Sequence, residues 1–298
     1  MLKIMLKKAV VTIVLIILAL LGIIGLTPEA GKLKIIYFDV NQGDAAYIRT
    51  AGGQDILIDA GPSDVILSKL GEAMPFYDRT LDIIILSHPH ADHSTGLVGV
   101  LNNYSVRQVY LTGVVHTSSE YLEFLKLLKN HPEIEKIKID HRFNVDLGNE
   151  TELQFLYPDF DVAAATAIKI YPFLKENLNN TSVVVRLVAG DQSFLFLGDI
   201  EKDVEAYLLT SQSRSISVQS ATGDFSWLKS TVIKIPHHGS KTSSTIPFLT
   251  AVSPQTAVIS VGAGNSFGHP SPIVLKRLSD LKIKTLRTDL EGDIVITD

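Results

Sequence analysis

The sequence predicts an α/β protein, a four-layer αββα sandwich preceded by one N-terminal transmembrane helix. Three observations carry that expectation. Ala9 to Leu26 is an 18-residue run without a charge, preceded by Lys3, Lys7 and Lys8. From Lys34 onward the order is strands, then strand–helix units, then the same again, which suits two packed sheets with helices outside. Finally, several apolar strands end in side chains of the metal-ligand type, above all Ser87-His88-Pro89-His90-Ala91-Asp92-His93 after Ile83-Ile84-Ile85-Leu86.

The N-terminal run is about the shortest that spans a ~30 Å hydrocarbon core at ~1.5 Å per residue. Its leading lysines predict a cytoplasmic N-terminus and an exported remainder, anchored in the bilayer through residues 9–26. Cleavage as a secretory signal is the alternative, although Pro28 lies badly for a cut before Gly31. Residues 1–33 are therefore expected as anchor and linker, and 34–298 as the folded domain.

Lys34 to Val40, Ala45 to Thr50 and Asp55 to Asp59 read as strands, the last two joined by the turn Ala51-Gly52-Gly53-Gln54. Asp64 to Gly71 predicts a short helix, Leu81 to Leu86 a strand and Thr95 to Asn102 a helix. Val106 to Leu111 follows as a strand. Ser119 to Asn130 predicts a helix capped by Ser119, with Leu122, Leu125 and Leu128 on one stripe. After the strand Thr151 to Tyr157, residues 158–180 read as loop. Ser182 to Val188 and Ser193 to Leu197 form a hairpin around Gly190-Asp191, and Ile200 to Thr210 is helical. Ser211 to Phe225 reads as an exposed excursion. Thr231 to Ile235, Thr256 to Val261, a helix from Pro272 to Leu281, and the strand pair Thr285 to Arg287 and Gly292 to Thr297 close the chain.

With no cysteine in 298 residues, disulfides, thiolate metal sites and a thiol nucleophile are excluded, so any metal must take N and O ligands. The formal net charge is −5, with an acidic middle region. That argues against a broad surface tracking nucleic-acid phosphates. Histidine is the commonest metal ligand, and three imidazoles and a carboxylate within six positions can feed neighbouring cations. Asp59, Asp199, the pair His237-His238 and His269 share the same placement just after a strand or turn, so strand ends converging on one rim would build a site on a rigid scaffold. Either His237 or His238 could be a ligand. His116, His131 and His141 lack such context.

His88-Pro89-His90-Ala91-Asp92-His93 resembles the HxHxDH motif of the metallo-β-lactamase superfamily. More narrowly, the chain resembles the exported hydrolase domain of the DNA-uptake channel protein ComEC and its stand-alone relatives. The matching pieces are Phe38-Asp39-Val40-Asn41-Gln42-Gly43-Asp44, Leu57-Ile58-Asp59-Ala60-Gly61, Leu197-Gly198-Asp199, Pro236-His237-His238-Gly239-Ser240 and Gly268-His269-Pro270. The resemblance implies that His88 and His90 hold a first metal, that Asp92, His93 and His238 hold a second, and that Asp199 bridges them. Asp59 would support the metal loop by hydrogen bonding. Where many members place a third histidine for the first metal, this chain has Asn179-Asn180, with Asn180 as the expected counterpart. Its neutral oxygen is a weaker ligand for zinc and suits a harder ion such as Mn²⁺.

The implied cofactors are one or two divalent ions, Zn or Mn, and the implied activity is hydrolysis by metal-activated water. Asp92 would orient that water, and His269 or His237 would protonate the leaving oxygen. The expected substrate is a phosphodiester, with DNA and a phosphate-containing envelope polymer as the candidates. A β-lactamase or thioester hydrolase on the same fold is one alternative. A tethered, non-catalytic binding module with a degenerate metal site is the other.

Overall fold

The computed structural model describes residues 31–211 and 225–297, with positions 5, 7, 8, 10 and 12–14 near the N-terminus. Six strands come first: β1 (Lys34–Tyr37), β2 (Ala46–Arg49), β3 (Asp55–Ile58), β4 (Thr80–Ile85), β5 (Ser105–Leu111) and β6 (Glu135–Lys138). Seven more follow: β7 (Phe143–Gly148), β8 (Thr151–Tyr157), β9 (Val184–Ala189), β10 (Gln192–Phe196), β11 (Val232–Lys234), β12 (Thr256–Ile259) and β13 (Lys284–Arg287). The last strand, β14 (Ile294–Thr297), returns to the first group. The two seven-stranded sheets run β14-β1-β2-β3-β4-β5-β6 and β13-β12-β11-β10-β9-β8-β7.

Side chains alternate across these strands because successive Cβ atoms point to opposite faces. Ile35, Tyr37, Ile56, Ile58, Ile83 and Ile85 of one sheet meet Val183, Val185, Leu187, Phe194 and Phe196 of the other in a central core. The outer face of the first sheet, through Ile36, Leu57 and Ile84, packs against helices Val65–Ala73, Gly96–Asn103 and Ser119–Asn130. The outer face of the second, through Leu195, Ile233 and Ala257, packs against helices Lys202–Ser211, Ile246–Val252 and Pro272–Asp280. Three cores thus separate helix, sheet, sheet and helix.

Both sheets are mixed, and both change direction at one strand. β1, β2 and β3 pair antiparallel, whereas β3, β4, β5 and β6 pair parallel. In the second sheet β7 to β10 are antiparallel and β10 to β13 parallel. Open α/β sheets bind ligands outside the carboxyl ends of their parallel strands. The loops after β3, β4, β10, β11 and β12 are the ones that carry the candidate site.

Several expectations need correction. Among the described residues no helix is long and apolar enough to cross a membrane. The anchor over 9–26 lies largely outside the described residues, and the single-pass membrane location drawn from it is withdrawn. Most of the excursion 211–225 also lies outside them.

The helix Ser119–Asn130 buries Tyr121, Phe124 and Leu128, while Leu122 is 48% exposed, so the aromatic residues rather than the leucine stripe define its inner face. Ser118, not Ser119, is the N-cap, and it makes no side-chain cap bond. Residues 158–180 contain helices Ala165–Ile170 and Phe173–Glu176 and run into a 3₁₀ turn, Leu178–Thr181. Strands β6 and β7 were not anticipated. The terminal strands β13 and β14 lie in different sheets rather than pairing.

Candidate metal centre

Asp59 leaves β3 with φ 56°, a left-handed conformation that Asp tolerates better than most residues. That turn aims its carboxylate under the loop after β4. Ser87 donates to it twice, N–H to Oδ1 at 2.8 Å and Oγ–H to Oδ2 at 2.7 Å. The ring of His93 lies beside the same Oδ2, with Nδ1 at 2.7 Å. With the Nδ1 proton held by Asp59, Nε2 is the atom presented to the cluster. His93 sits in the single-turn helix Ala91–Ser94, and the backbone is stitched to both neighbours: Asp44 N–H donates to Asp92 O, and Ala60 N–H donates to His93 O.

From the other sheet, β10 ends at Gly198-Asp199 and β11 runs into the 3₁₀ turn Pro236–Gly239. His237 and His238 both have left-handed backbones, at φ 51° and 52°. Such conformations cost on the order of 1–3 kcal/mol each and cluster at functional sites. Here they swing His238 inward and His237 toward the rim. The Nδ1 of His238 lies 3.0 Å from the carbonyl of Ser260, just beyond β12. Its Nε2 lies 3.1 Å from Asp92 Oδ2 and 3.6 Å from Asp199 Oδ2.

Asp92, His93, Asp199 and His238 therefore offer four ligand-type atoms within 4.8 Å of one another. His93 Nε2 and Asp199 Oδ1 approach to 3.3 Å without hydrogen-bond alignment. Both atoms are buried without a hydrogen-bond partner. Buried polar atoms are rarely left unpaired, and two orphans facing each other among N and O donors fit a divalent cation.

The electrostatics agree. Burial acts to lower the pKa of His93, but Asp199, Asp59, Asp92 and Asp44 together raise it well above the ordinary imidazole value. Burial likewise opposes charge on His238, yet Asp199 and Asp44 push it up to about 10. Asp199 is held well below the usual carboxylate range, burial being outweighed by His93 and His238. Asp92 is lowered too, chiefly by His93 and a hydrogen bond from His238 against burial. Such a field favours any cation.

His88 and His90 stand at the edge of this group. His88 Nε2 is 2.9 Å from His90 Nδ1 and 4.0 Å from Asp199 Oδ2. Burial is the main cause that lowers the pKa of both rings. Among the described residues this pair does not join a group of three or more close ligand atoms. Asn180 adds nothing to it. Its Oδ1 accepts from Glu201 N–H, its Nδ2 donates to Phe173 O, and its backbone carbonyl accepts from Tyr157. Asn179, its neighbour, has a buried Oδ1 without a partner and an Nδ2 3.4 Å from the His237 ring. The asparagine facing the site is therefore Asn179, because the tight turn sends successive side chains in different directions.

His237 is half-buried, with Nδ1 3.2 Å from Glu201 Oε1. Burial opposes ionisation of Glu201, but hydrogen bonds from His237, Thr242 and Asn177 lower its pKa. The His269 ring centroid is 5.6 Å from that of His237, and burial followed by the neighbouring rings of His237 and His238 lowers its pKa. Asn265 clamps the His269 backbone by two hydrogen bonds. The structure thus gathers Asp59, His88, His90, Asp92, His93, Asp199, His237, His238 and His269 at one rim. Sequence reasoning assigned no role to Glu201, Asp44 or Lys234. It also passed over His116, whose ring lies 5.9 Å from that of His90. A lysine inside Val232-Ile233-Lys234-Ile235 was the available signal for the buried pair that Lys234 makes with Asp44.

Known proteins resemble this chain in sequence or in fold to different extents. The chain is 28% identical over 285 residues to Competence protein ComA of Neisseria gonorrhoeae, covering 93% of this chain and 34% of that protein. It is 26% identical over 279 residues to ComE operon protein 3 of Bacillus subtilis (strain 168), covering 89% and 32%. It thus spans about a third of the length of these curated relatives. The metallo-beta-lactamase fold protein YhfI from Bacillus subtilis shares the fold at a TM-score of 0.54 and 12% identity, over 89% of this chain and 100% of that one. Residues 54–213 match the beta-lactamase superfamily domain, just over half of the sequence, and the chain belongs to that superfamily.

Proposed function

We propose that this chain is a metal-dependent phosphodiester hydrolase, with DNA as the substrate expected from its resemblance to DNA-uptake proteins. The observation that carries this reading is the His237–Glu201 pair beside the Asp92–His93–Asp199–His238 cluster. In this reading those four residues hold a zinc or manganese ion, with His88 and His90 beside them and Asp59 orienting His93. A divalent ion there supplies Lewis acidity, lowering the pKa of water and neutralising charge on the reacting oxygens.

The chain's own groups supply the proton chemistry. Asp92, partly open to solvent at the mouth, orients the attacking water, whose proton passes to solvent. A new P–O bond forms to that water while the bond to the leaving alcohol breaks. His237, held by Glu201, delivers a proton to the departing oxygen. An alkoxide is a poor leaving group and needs that proton, whereas a thiolate does not, so the acid pair favours a phosphodiester over a thioester. His269, kept neutral by its surroundings, lines the same side.

The test is a substrate panel with the metal-loaded chain: bis-p-nitrophenyl phosphate, a DNA oligonucleotide, nitrocefin and an acyl thioester. Phosphodiester turnover is expected, lost in His238→Ala with the fold retained by circular dichroism. Full turnover by that variant refutes the assignment. Faster cleavage of nitrocefin or the thioester replaces the substrate class.

A further inference from the structure

Behind the candidate metal centre, between the two sheets, lies a charge pair that the proposed reaction does not use. Lys234 on β11 and Asp44 after β1 are 3% and 6% exposed, and Lys234 Nζ bonds Asp44 Oδ2. The other carboxylate oxygen, Oδ1, is 3.2 Å from His238 Nδ1, the nitrogen that also lies 3.0 Å from Ser260 O. The carbonyl is the better aligned acceptor, so Asp44 Oδ1 is left without a proper hydrogen bond. Tyr37 Oη, also buried, lacks a partner as well. Both residues line one cavity of about 20 Å³, together with Asp59, Lys234 and Ser260. A cavity needs roughly 10–15 Å³ and two to four polar partners to hold one water, and this one has both.

A buried ion pair is seldom a gain in stability over apolar side chains of the same size. Its placement is therefore informative: the lysine comes from the second sheet, and the aspartate reaches the back of a ring whose front faces Asp92 and Asp199. We infer that Asp44, clamped by Lys234 and bridged to Tyr37 through one bound water, is a positioning residue that fixes His238 with Nε2 toward the cluster. The inference rests on the proposed metal site and names what tunes it from behind.

The experiment measures zinc affinity by competition with a chromophoric chelator, alongside the unfolding temperature of the metal-free protein. Asp44→Asn alone leaves a buried ammonium without its counter-ion and risks the fold. Asp44→Asn with Lys234→Met removes both charges and nearly preserves shape. The double variant is expected to fold and to bind zinc about 10–100-fold more weakly, the usual loss when a ligand's outer partner is removed. An affinity within about threefold of wild type overturns the inference, and it leaves the pair as an inter-sheet tie if only the metal-free unfolding temperature falls. If wild type itself binds no zinc or manganese, the metal site falls and the inference with it. Tyr37→Phe tests the bridge separately. A crystal of wild type is expected to show one water between Tyr37 Oη and Asp44 Oδ1 that is missing in Tyr37→Phe. No water in wild type, or one retained in the variant, overturns the bridge.

Discussion

Gly198→Ala puts the scaffold of the site to a quantitative test. Gly198 stands between the end of β10 and Asp199 at φ 49°. A Cβ there would lie 2.8 Å from Ser182 Cβ, 2.9 Å from Ser182 Oγ and 2.9 Å from Ser87 Cβ. None of these atoms is free to retreat, because Ser182 Oγ accepts from Asp199 N–H and Ser87 bonds Asp59. The Gly198 carbonyl also accepts from His237 N–H. The left-handed backbone costs a non-glycine residue about 1–2 kcal/mol, and overpacking a rigid spot adds about 1–3 kcal/mol. Gly198→Ala is therefore expected to destabilise by ~2–5 kcal/mol, at about 2–4 °C of melting temperature per kcal/mol for a chain of this size. Gly190→Ala is the control. Gly190 has nearly the same φ, 53°, but an added Cβ meets nothing within 4 Å, so only the conformational cost of ~1–2 kcal/mol applies. Urea unfolding in chelator measures both without metal linkage. Equal losses in the two variants refute the steric argument.

Three further outcomes follow from particular contacts. Glu201→Gln keeps a hydrogen-bond partner for His237 but removes its negative charge; kcat should fall by about 10–100-fold on an oligonucleotide and much less on p-nitrophenyl esters, whose leaving group needs little protonation. An equal drop on both substrates removes His237 from the acid role. Zinc at about 100 times its dissociation constant should stabilise the chain by about 2.7 kcal/mol, reversed by chelator, and a metal-independent unfolding midpoint contradicts the cluster as a cation site. On the helix Ser119–Asn130, Phe124→Ala should cost about 3–5 kcal/mol and Leu122→Ser within about 0.5 kcal/mol, since Phe124 is buried and Leu122 is not; comparable losses would restore the leucine stripe as the inner face.

The parts of the fold that were legible in the sequence are those where one local pattern has one physical meaning. Ile83-Ile84-Ile85-Leu86 is apolar on both faces because β4 is covered by helices on one side and the other sheet on the opposite side, and a strand so buried reads as a continuous run. Strand β6 was illegible for the converse reason. Glu-Lys-Ile-Lys is an edge strand whose residues are mostly exposed, and charged edges that discourage further pairing look like loop. Leu122 misled because spacing defines a stripe but not how far it turns toward the core; Leu128 is buried and Leu125 packs against the core, while Leu122 is exposed. Tyr121 and Phe124, with more area to bury, turn inward instead.

The site divides along the same line. Residues that announce themselves by type, such as His88 to His93, stand out in the sequence because imidazoles in a row after a buried strand have few other uses. Lys234 and Asp44 were not, since neither a lysine nor an aspartate is diagnostic alone and the pair is formed across 190 positions of sequence. Asn180 was misassigned because a motif gives a position but not the direction of a side chain in a 3₁₀ turn. The same division explains why the centre is strained where it is. The left-handed backbones of Asp59 and His238 belong to residues whose direction, rather than identity, determines the cluster. Direction is set by contacts between neighbouring loops of one sheet, Asp59 with Ser87 and His93 in the first, and His238 with Ser260 in the second. A variant that keeps every ligand-type residue but loosens one of those contacts should therefore lose cation affinity as surely as one that removes a ligand.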